Sequence, residues 1–201
     1  GADGVFRFDA AELAGAFTGR TRAVVVNTPH NPTGKVFSRE ELEQIAACCR
    51  RTGAIAIADE VYERLLFEPS ALPHICFASL PGMAGQTLTL SSIGKTFSLT
   101  GWKIGWAVGP ASLAAAVRSA HQFLTFAVAT PLQHGAAEAL KREAEYVPEL
   151  VALLDANRRR LGGALSELGF VVHPPAGTYF ICADHSAVSR RLSVVDDAEL
   201  C

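Results

Sequence analysis

Lys95 is the residue whose surroundings most clearly suggest chemistry. It lies within residues 91–103, a segment rich in glycine and hydroxyl side chains that follows a short β-branched run. A lysine amine that is kept out of water near another cation loses its proton more readily and becomes a nucleophile toward aldehydes. The alternative is a solvated loop lysine, for which Ser92, Gly94 and Gly101 are unusual neighbours. We therefore expect Lys95 to form a Schiff base and to act afterwards as an acid and base.

Asp59 is the second residue with a chemical signature. A carboxylate directly after the apolar residues 54–58 is costly unless a cation pairs with it. A protonated pyridine nitrogen would be such a cation, and its ring would act as an electron sink for a carbanion. Tyr62, about one helical turn later, and Asn31 could both hydrogen-bond a phenolic oxygen of that ring. The plainer interpretations are a helix cap for Asp59, a core position for Tyr62 and a turn for Asn31. With Lys95, these side chains predict a site for pyridoxal 5'-phosphate.

Ser92 and Lys103 complete the predicted site, because a phosphate needs donors and a cation. Ser92 offers a hydroxyl, the turn after it offers backbone N–H groups, and Lys103 offers a fixed positive charge. An ordinary surface position is the alternative for Lys103. We expect both residues to bind the cofactor phosphate.

The apolar pattern predicts the scaffold that would bring these residues together. Short apolar runs alternate with amphipathic segments that begin with helix-capping residues or proline, which indicates an α/β fold with a mostly parallel sheet covered by helices. Such sheets bind ligands beyond the carboxyl ends of their strands, where Asn31, Asp59 and Ser92 would lie. The predicted strands are residues 23–27, 54–58, 87–91 and 104–108, the last of which could run antiparallel, and the predicted helices are 10–17, 38–51, 110–124 and 131–143.

The pattern changes after residue 145. Residues 147–168 predict a long helix with one apolar side, and residues 170–173 and 178–183 predict strands of a second unit. We therefore expect residues 1–145 to be part of a large cofactor-binding domain, 146–168 a linking helix, and 169–201 the beginning of a small C-terminal domain. Asp196 and Glu199 resemble a capping box for a helix that the sequence does not contain, so we expect a fragment of a longer protein.

Composition limits the possible functions. The 201 residues are 49% hydrophobic and 19% charged with a net charge of −2, which is typical of a globular protein and gives no electrostatic basis for binding nucleic acid or an anionic membrane. Charged or polar residues interrupt every apolar stretch before it reaches the length that a bilayer requires. The five cysteines match no zinc pattern, and we expect free thiols in a cytoplasmic protein.

The motifs on which these predictions rest resemble those of class I/II aminotransferases of the pyridoxal-phosphate type I fold. The matching segments are Asn31-Pro32-Thr33-Gly34, Asp59-Glu60-Val61-Tyr62, Ser92-Ile93-Gly94-Lys95 and Gly101-Trp102-Lys103-Ile104-Gly105. The resemblance implies Lys95 as the Schiff-base lysine and Asp59 as the partner of the ring nitrogen. It also implies Tyr62 and Asn31 on the phenolic oxygen, Ser92 and Lys103 on the phosphate, and a site at a homodimer interface.

Finer similarities and departures qualify this resemblance. Residues 27–30, 101–103, 121–126 and 177–180 are similar to the branch that contains kynurenine, glutamine and methionine aminotransferases. Gly94 stands where many relatives have a second serine, and Lys103 stands where many have an arginine, so the grip on the phosphate would differ. The family also uses an N-terminal segment with a phosphate-binding turn and a stacking aromatic, and a C-terminal arginine for the substrate carboxylate. Both would lie outside these 201 residues.

The expected activity is the transfer of an amino group from an L-amino acid to a 2-oxo acid. Two alternatives stay open. A carbon–sulfur β-lyase of the same fold would share Lys95 and Asp59 but eliminate a thiol, and a non-catalytic regulatory domain would bind the cofactor without turnover. We expect the fragment alone to bind cofactor weakly and to be inactive.

Overall fold

The computed structural model describes residues 4–67, 73–194 and 198. Six strands and seven α-helices are assigned within these residues. The strands are β1 (Ala23–Asn27), β2 (Ile55–Asp59), β3 (Thr87–Ser92), β4 (Gly105–Val108), β5 (Val171–His173) and β6 (Cys182–Asp184). The helices are α1 (Ala10–Ala16), α2 (Arg39–Thr52), α3 (Ile93–Thr96), α4 (Ala111–Leu124), α5 (Thr130–Lys141), α6 (Glu143–Glu167) and α7 (Ser186–Leu192).

The main sheet has the predicted architecture. Its four strands lie in the order β1-β2-β3-β4, the first three are parallel, and β4 is antiparallel to β3. Asn27 pairs with Asp59, and Asp59 with Leu90, so the strands end close to one another along the same edge. The predicted fold class is confirmed, and so is the antiparallel orientation that the sequence allowed for β4.

Local capping explains where α2 begins and ends. The Ser38 hydroxyl accepts from the Glu41 N–H at 3.2 Å, and the Glu41 carboxylate accepts from the Ser38 N–H at 3.0 Å, which forms the predicted capping box. Gly53 ends the helix at φ 71°, a left-handed conformation that glycine adopts without steric cost. The core against this helix buries apolar side chains of β1 and β2 with Leu42, Ile45, Phe77 and Met83.

Two apolar side chains of the regular elements are exposed. Val25 of β1, within a continuous apolar run, is 68% exposed, and Leu124 at the end of α4 is 84% exposed. The apolar side of α6 is only partly covered, since none of its 25 residues is fully buried while Leu150 and Leu154 are half-buried. Apolar spacing indicates a face that can be buried, but the described part of the chain does not cover Val25 and Leu124.

The second half also departs from prediction in its details. Helix α6 begins earlier than expected and continues through Pro148. Thr178 begins no strand, because its φ of 67° is incompatible with extended backbone, and regular pairing starts only at Cys182. The predicted helix start at Asp196 and Glu199 lies outside the described residues.

A small antiparallel sheet of β5 and β6 follows α6. It is connected to the first half through an isolated antiparallel bridge between Leu66 and Gly177. Arg158 of α6 supports this connection, since its guanidinium lies 4.9 Å from the Phe67 ring centroid and donates to the Pro175 carbonyl at 3.2 Å. The Arg158 side chain is therefore packed against the chain and is only 17% exposed.

A helix that crosses a bilayer needs about 20 mainly apolar residues. Within the described residues, no helix combines the length and the apolar character that a bilayer crossing requires.

Candidate functional site

The carboxyl edge of the parallel strands gathers the predicted site residues. Asp59 is the last residue of β2, Ser92 is the last residue of β3, and Asn31 lies in the loop after β1. Ser92 also caps the single-turn helix α3, which carries Lys95. Because adjacent parallel strands end at the same edge, three separate chain segments supply polar groups to one place.

Lys95 points toward two tyrosine rings at this edge. Its Nζ lies 5.9 Å from the ring centroid of Tyr62 and 5.8 Å from that of Tyr179. The two rings meet edge to face, with centroids 5.5 Å apart and an interplanar angle of 79°. A cation this close to an aromatic face is attracted by the ring quadrupole. The amine is therefore held beside the Tyr62 phenol.

Tyr62 joins this lysine to the other predicted residues. Burial raises the pKa of the Tyr62 phenol above its ordinary value, and a hydrogen bond with Tyr179 and the charges of Tyr179 and Asp59 raise it further. A hydrogen bond from Asn31 acts in the opposite direction on the same pKa. Tyr62 is only 2% exposed, so its hydroxyl keeps its proton and stays a hydrogen-bond donor. Lys95, Tyr62, Asn31 and Asp59 thus surround one region of the sheet edge.

Asn27 fixes the backbone on both sides of this region. Its side-chain amide donates to the Asp59 carbonyl at 3.0 Å, and its side-chain oxygen accepts from the Asn31 N–H at 2.7 Å. Sequence reasoning treated Asn27 only as the end of a strand. The available signal was its polarity at the last position of an apolar run, where a buried amide needs partners.

Ser92 lies at the predicted place and already makes one bond. Its hydroxyl oxygen accepts from the Gly94 N–H at 3.2 Å. Close packing also favours glycine at position 94, because a Cβ there would lie 3.3 Å from the Ser92 hydroxyl and 3.4 Å from the Thr100 Cα. The glycine that replaces a second serine therefore allows a tight turn under Lys95.

Lys103 is exposed and adopts a left-handed backbone with φ 57°. The Ile93 N–H donates to the Ile104 carbonyl at 3.3 Å, and Ser92 pairs with Gly105, so the Lys103 backbone lies next to the segment that ends at Ser92. Among the contacts of the described residues, none joins the Lys103 ammonium to Ser92. Its predicted phosphate role therefore stays a prediction.

The chemistry of this donor set fits pyridoxal phosphate. Val61 donates to one carboxylate oxygen of Asp59 at 3.3 Å, and no hydrogen bond among the described residues engages the second oxygen. A free carboxylate oxygen matches a pyridinium N–H, a buried phenol and an amide match a phenolic oxygen, and an amine matches an aldehyde. The ring nitrogen, the phenolic oxygen and the aldehyde of the cofactor thus each have a candidate partner on this edge.

Glu60 is a structural carboxylate that sequence reasoning did not separate from Asp59. It is 1% exposed, accepts from the Phe77 N–H at 2.8 Å and lies 3.0 Å from Nε2 of His74. Two adjacent acidic residues after an apolar strand give no sequence signal that assigns one to a ligand and the other to the core.

Comparison with known proteins places this geometry in a family. Residues 3–200 match the model of the family described as aminotransferase class I and II. A probable N-succinyldiaminopimelate aminotransferase DapC of Mycobacterium tuberculosis is 46% identical over 196 residues, which is 98% of this chain and 48% of that protein. Human kynurenine–oxoglutarate transaminase 1 is 40% identical over 96% of this chain and 47% of its own length.

Solved structures agree with these sequence matches. The M. tuberculosis N-succinyldiaminopimelate aminotransferase superposes with a TM-score of 0.91 over 98% of this chain and 50% of its own. The Escherichia coli protein YbdL, whose structure is described as identifying a methionine aminotransferase function, superposes with a TM-score of 0.85 at 36% identity, over 97% of this chain and 50% of its own. The chain spans about half the length of the curated relatives it matches. On its sequence and its fold, it belongs to the class I and II aminotransferases.

Proposed function

We propose that the protein containing this chain transfers an amino group from an L-amino acid to a 2-oxo acid with pyridoxal phosphate as cofactor. Class I and II aminotransferases depend on this cofactor. The observation that carries the proposal is the position of the Lys95 amine beside the buried Tyr62 phenol, whose neighbours include Asp59 and Asn31. An ordinary solvated surface lysine would not be expected to face Tyr62, Asp59 and Asn31.

The roles that we assign follow from the chemistry of each side chain. Bound pyridoxal phosphate supplies an aldehyde and an electron-withdrawing ring that stabilises negative charge at the α carbon of an attached amino acid. Asp59 would hold a proton on the ring nitrogen, and Tyr62 and Asn31 would donate to the phenolic oxygen. Ser92 and Lys103 would bind the phosphate.

Lys95 would act in two successive steps. Its Nζ would first hold the cofactor covalently through the aldehyde carbon. Once the substrate amine has displaced it, the free amine would accept the proton from the substrate α carbon and later return a proton as an acid. The short helix α3 and its cap at Ser92 would keep this nitrogen within reach of both positions.

We also make proposals on domain organisation, assembly and cellular location. We propose that residues 1–145 belong to a large cofactor-binding domain, that 146–168 form a linking helix, and that 169–201 begin a smaller domain, which the second sheet of β5 and β6 supports. We also propose a cytoplasmic homodimer that acts on small amino and oxo acids. The names of the relatives point to N-succinyldiaminopimelate, kynurenine and methionine, so we assign no particular amino acid.

The test uses the full-length protein and its Lys95→Ala variant. Each is incubated with pyridoxal phosphate and treated with borohydride, which fixes an imine linkage, and the modified lysine is then identified by peptide mass spectrometry. We expect modification of Lys95 in the unaltered protein, none in the variant, and loss of amino transfer in the variant. Lys141→Ala is the matched control, because Lys141 is exposed and Glu138 is its one ion-pair partner among the described residues.

Modification of a different lysine, or absorbance of the lysine imine that persists in Lys95→Ala, would contradict the assignment. A parallel assay for pyruvate released from cystathionine separates amino transfer from β-elimination. Covalent cofactor binding without either product would support the regulatory alternative.

A further inference from the structure

Tyr179 reaches the candidate site from the second half of the chain. It lies between β5 and β6, yet its ring contacts Tyr62 edge to face and lies 5.8 Å from the Lys95 Nζ. The sequence placed it only within a motif of family similarity and gave it no role. Its contacts with Tyr62 and Lys95 make Tyr179 a candidate member of the cofactor site.

The turn that carries Tyr179 is tightly anchored to the first half. The Phe67 N–H donates to the Ala176 carbonyl and the Thr178 N–H to the Leu65 carbonyl, both at 2.9 Å. The Gly34 carbonyl accepts from the Ala176 and Gly177 N–H groups at 2.9 and 3.0 Å. These four bonds fix the turn to the segments that follow Tyr62 and Asn31.

The backbone next to Tyr179 is strained. Thr178 is fully buried and has φ 67°, a left-handed conformation that a β-branched residue adopts only at a cost in free energy. Its hydroxyl accepts from the Phe180 N–H at 3.3 Å, which helps to hold the turn. Strained residues persist where the surrounding contacts determine them, and they cluster at functional sites. Together with the four backbone bonds, this conformation forms the turn from which the Tyr179 ring contacts Tyr62.

We propose that Tyr179 is a positioning residue of the cofactor site, which holds the Tyr62 hydroxyl where it can donate to the phenolic oxygen of bound pyridoxal phosphate. This inference rests on the proposed function. The phenol of Tyr62 has one proton, and its oxygen can accept another. When its proton is given to an anionic oxygen, a hydroxyl that donates to Tyr62 from behind strengthens that bond, because hydrogen bonds in a chain polarise one another. In the cofactor-free chain, the bond between the two phenols raises the pKa of Tyr62, so Tyr62 is its donor. When Tyr62 gives its proton to the cofactor oxygen, the Tyr179 hydroxyl can turn its own proton toward the Tyr62 oxygen.

The proposal predicts an effect on proton equilibria that is distinct from packing. Donation by Tyr62 stabilises the phenolic oxygen most when the nitrogen that joins Lys95 to the cofactor has lost its own proton. Weakening that donation therefore raises the pH at which the absorbance of the bound cofactor changes. Without cofactor, the bond to Tyr179 and the Tyr179 charge both raise the pKa of Tyr62, so removing the Tyr179 hydroxyl lowers that pKa.

The experiment compares Tyr179→Phe with the unaltered full-length protein. The substitution keeps the ring and removes only the hydroxyl. We expect the pH midpoint of the cofactor absorbance to rise by roughly 0.5 to 1 unit, a threefold to tenfold change in proton affinity. Tyr62→Phe should move it further in the same direction. In cofactor-free protein, NMR of isotope-labelled tyrosine, assigned with Tyr62→Phe, should show a lower pKa for Tyr62 in Tyr179→Phe.

Tyr146→Phe is the matched control, because Tyr146 loses only a 3.3 Å bond to Ser98 and should leave both titrations unchanged. An unchanged midpoint in Tyr179→Phe, with normal cofactor absorbance in the unaltered protein, would overturn this inference and leave the proposed function intact. An unaltered protein that shows no cofactor absorbance at any pH would overturn both.

Discussion

The side chain of Asn27 donates to the main-chain carbonyl of Asp59 at 3.0 Å, across the end of two paired strands. The same side chain accepts from the Asn31 N–H at 2.7 Å. One amide thus connects the residue assigned to the ring nitrogen with a residue assigned to the phenolic oxygen. The spacing between these two groups is set by a residue that need not touch the cofactor itself.

Asn27→Ala should lower both stability and cofactor affinity. The change removes the acceptor of the Asn31 N–H and one of two donors to the Asp59 carbonyl, which keeps the Thr28 N–H at 3.1 Å, so we expect a cost of about 0.5–1.5 kcal/mol. We expect that loss in the free energy of unfolding measured by urea denaturation, with weaker binding of pyridoxal phosphate. Asn157→Ala, an exposed change on α6, is the control and should stay within about 0.5 kcal/mol. Equal effects of the two substitutions would show that the Asn27 bonds carry no stability.

Glu60→Ala should lower the free energy of unfolding by more than the loss of an exposed ion pair would. It removes the buried acceptor of the Phe77 N–H and of the His74 ring, and leaving such partners unpaired costs about 3–5 kcal/mol. Glu60→Gln keeps one carbonyl oxygen and should lose less. Urea denaturation measures both variants.

The control for Glu60 is Glu145→Gln, because Glu145 pairs with Arg142 on the surface, where both side chains are more than half exposed. Such a pair contributes about 0–1 kcal/mol. If Glu60→Ala unfolds at the same urea concentration as this control, the buried contacts of Glu60 contribute nothing to stability.

Gly177→Ala should disrupt the contact between the two halves of the chain. A Cβ at this position would lie 2.7 Å from the Leu65 carbonyl oxygen, which is backbone and cannot rotate away. We expect a loss of about 1–3 kcal/mol in the free energy of unfolding, together with weaker cofactor binding as Tyr179 moves. Both are measured by denaturation and by cofactor titration.

Gly163→Ala is the matched glycine control. A Cβ there would meet nothing within 4 Å, and the residue lies inside α6, so alanine should stabilise the helix by about 0.5–1 kcal/mol. A Gly177→Ala protein as stable as the unaltered one would mean that the turn relaxes without cost.

The sequence predicted Lys95, Asp59 and Ser92 at one edge because parallel strands end together, and that rule needs only the strand assignment. It did not assign a role to Tyr179, because the position of that ring depends on the left-handed backbone of Thr178 and on a bridge between distant residues. The exposed Val25 and Leu124 show a further limit. Apolar spacing identifies a face that can pack, but it does not identify the segment that covers it.

Cys49 should make stability fall in alkaline solution. Burial raises the pKa of its thiol from 9.0 to about 11, with a further contribution from the neighbouring Cys48. Above pH 9 the unfolded chain releases this proton while the folded chain keeps it, so the stabilising contribution is complete below pH 9 and is lost as pH rises toward 11. Cys49→Ala removes the effect. The difference in unfolding free energy between the unaltered protein and the variant should shrink by about 3 kcal/mol at most across this range. A difference that does not change with pH would mean that the folded protein does not protect the thiol.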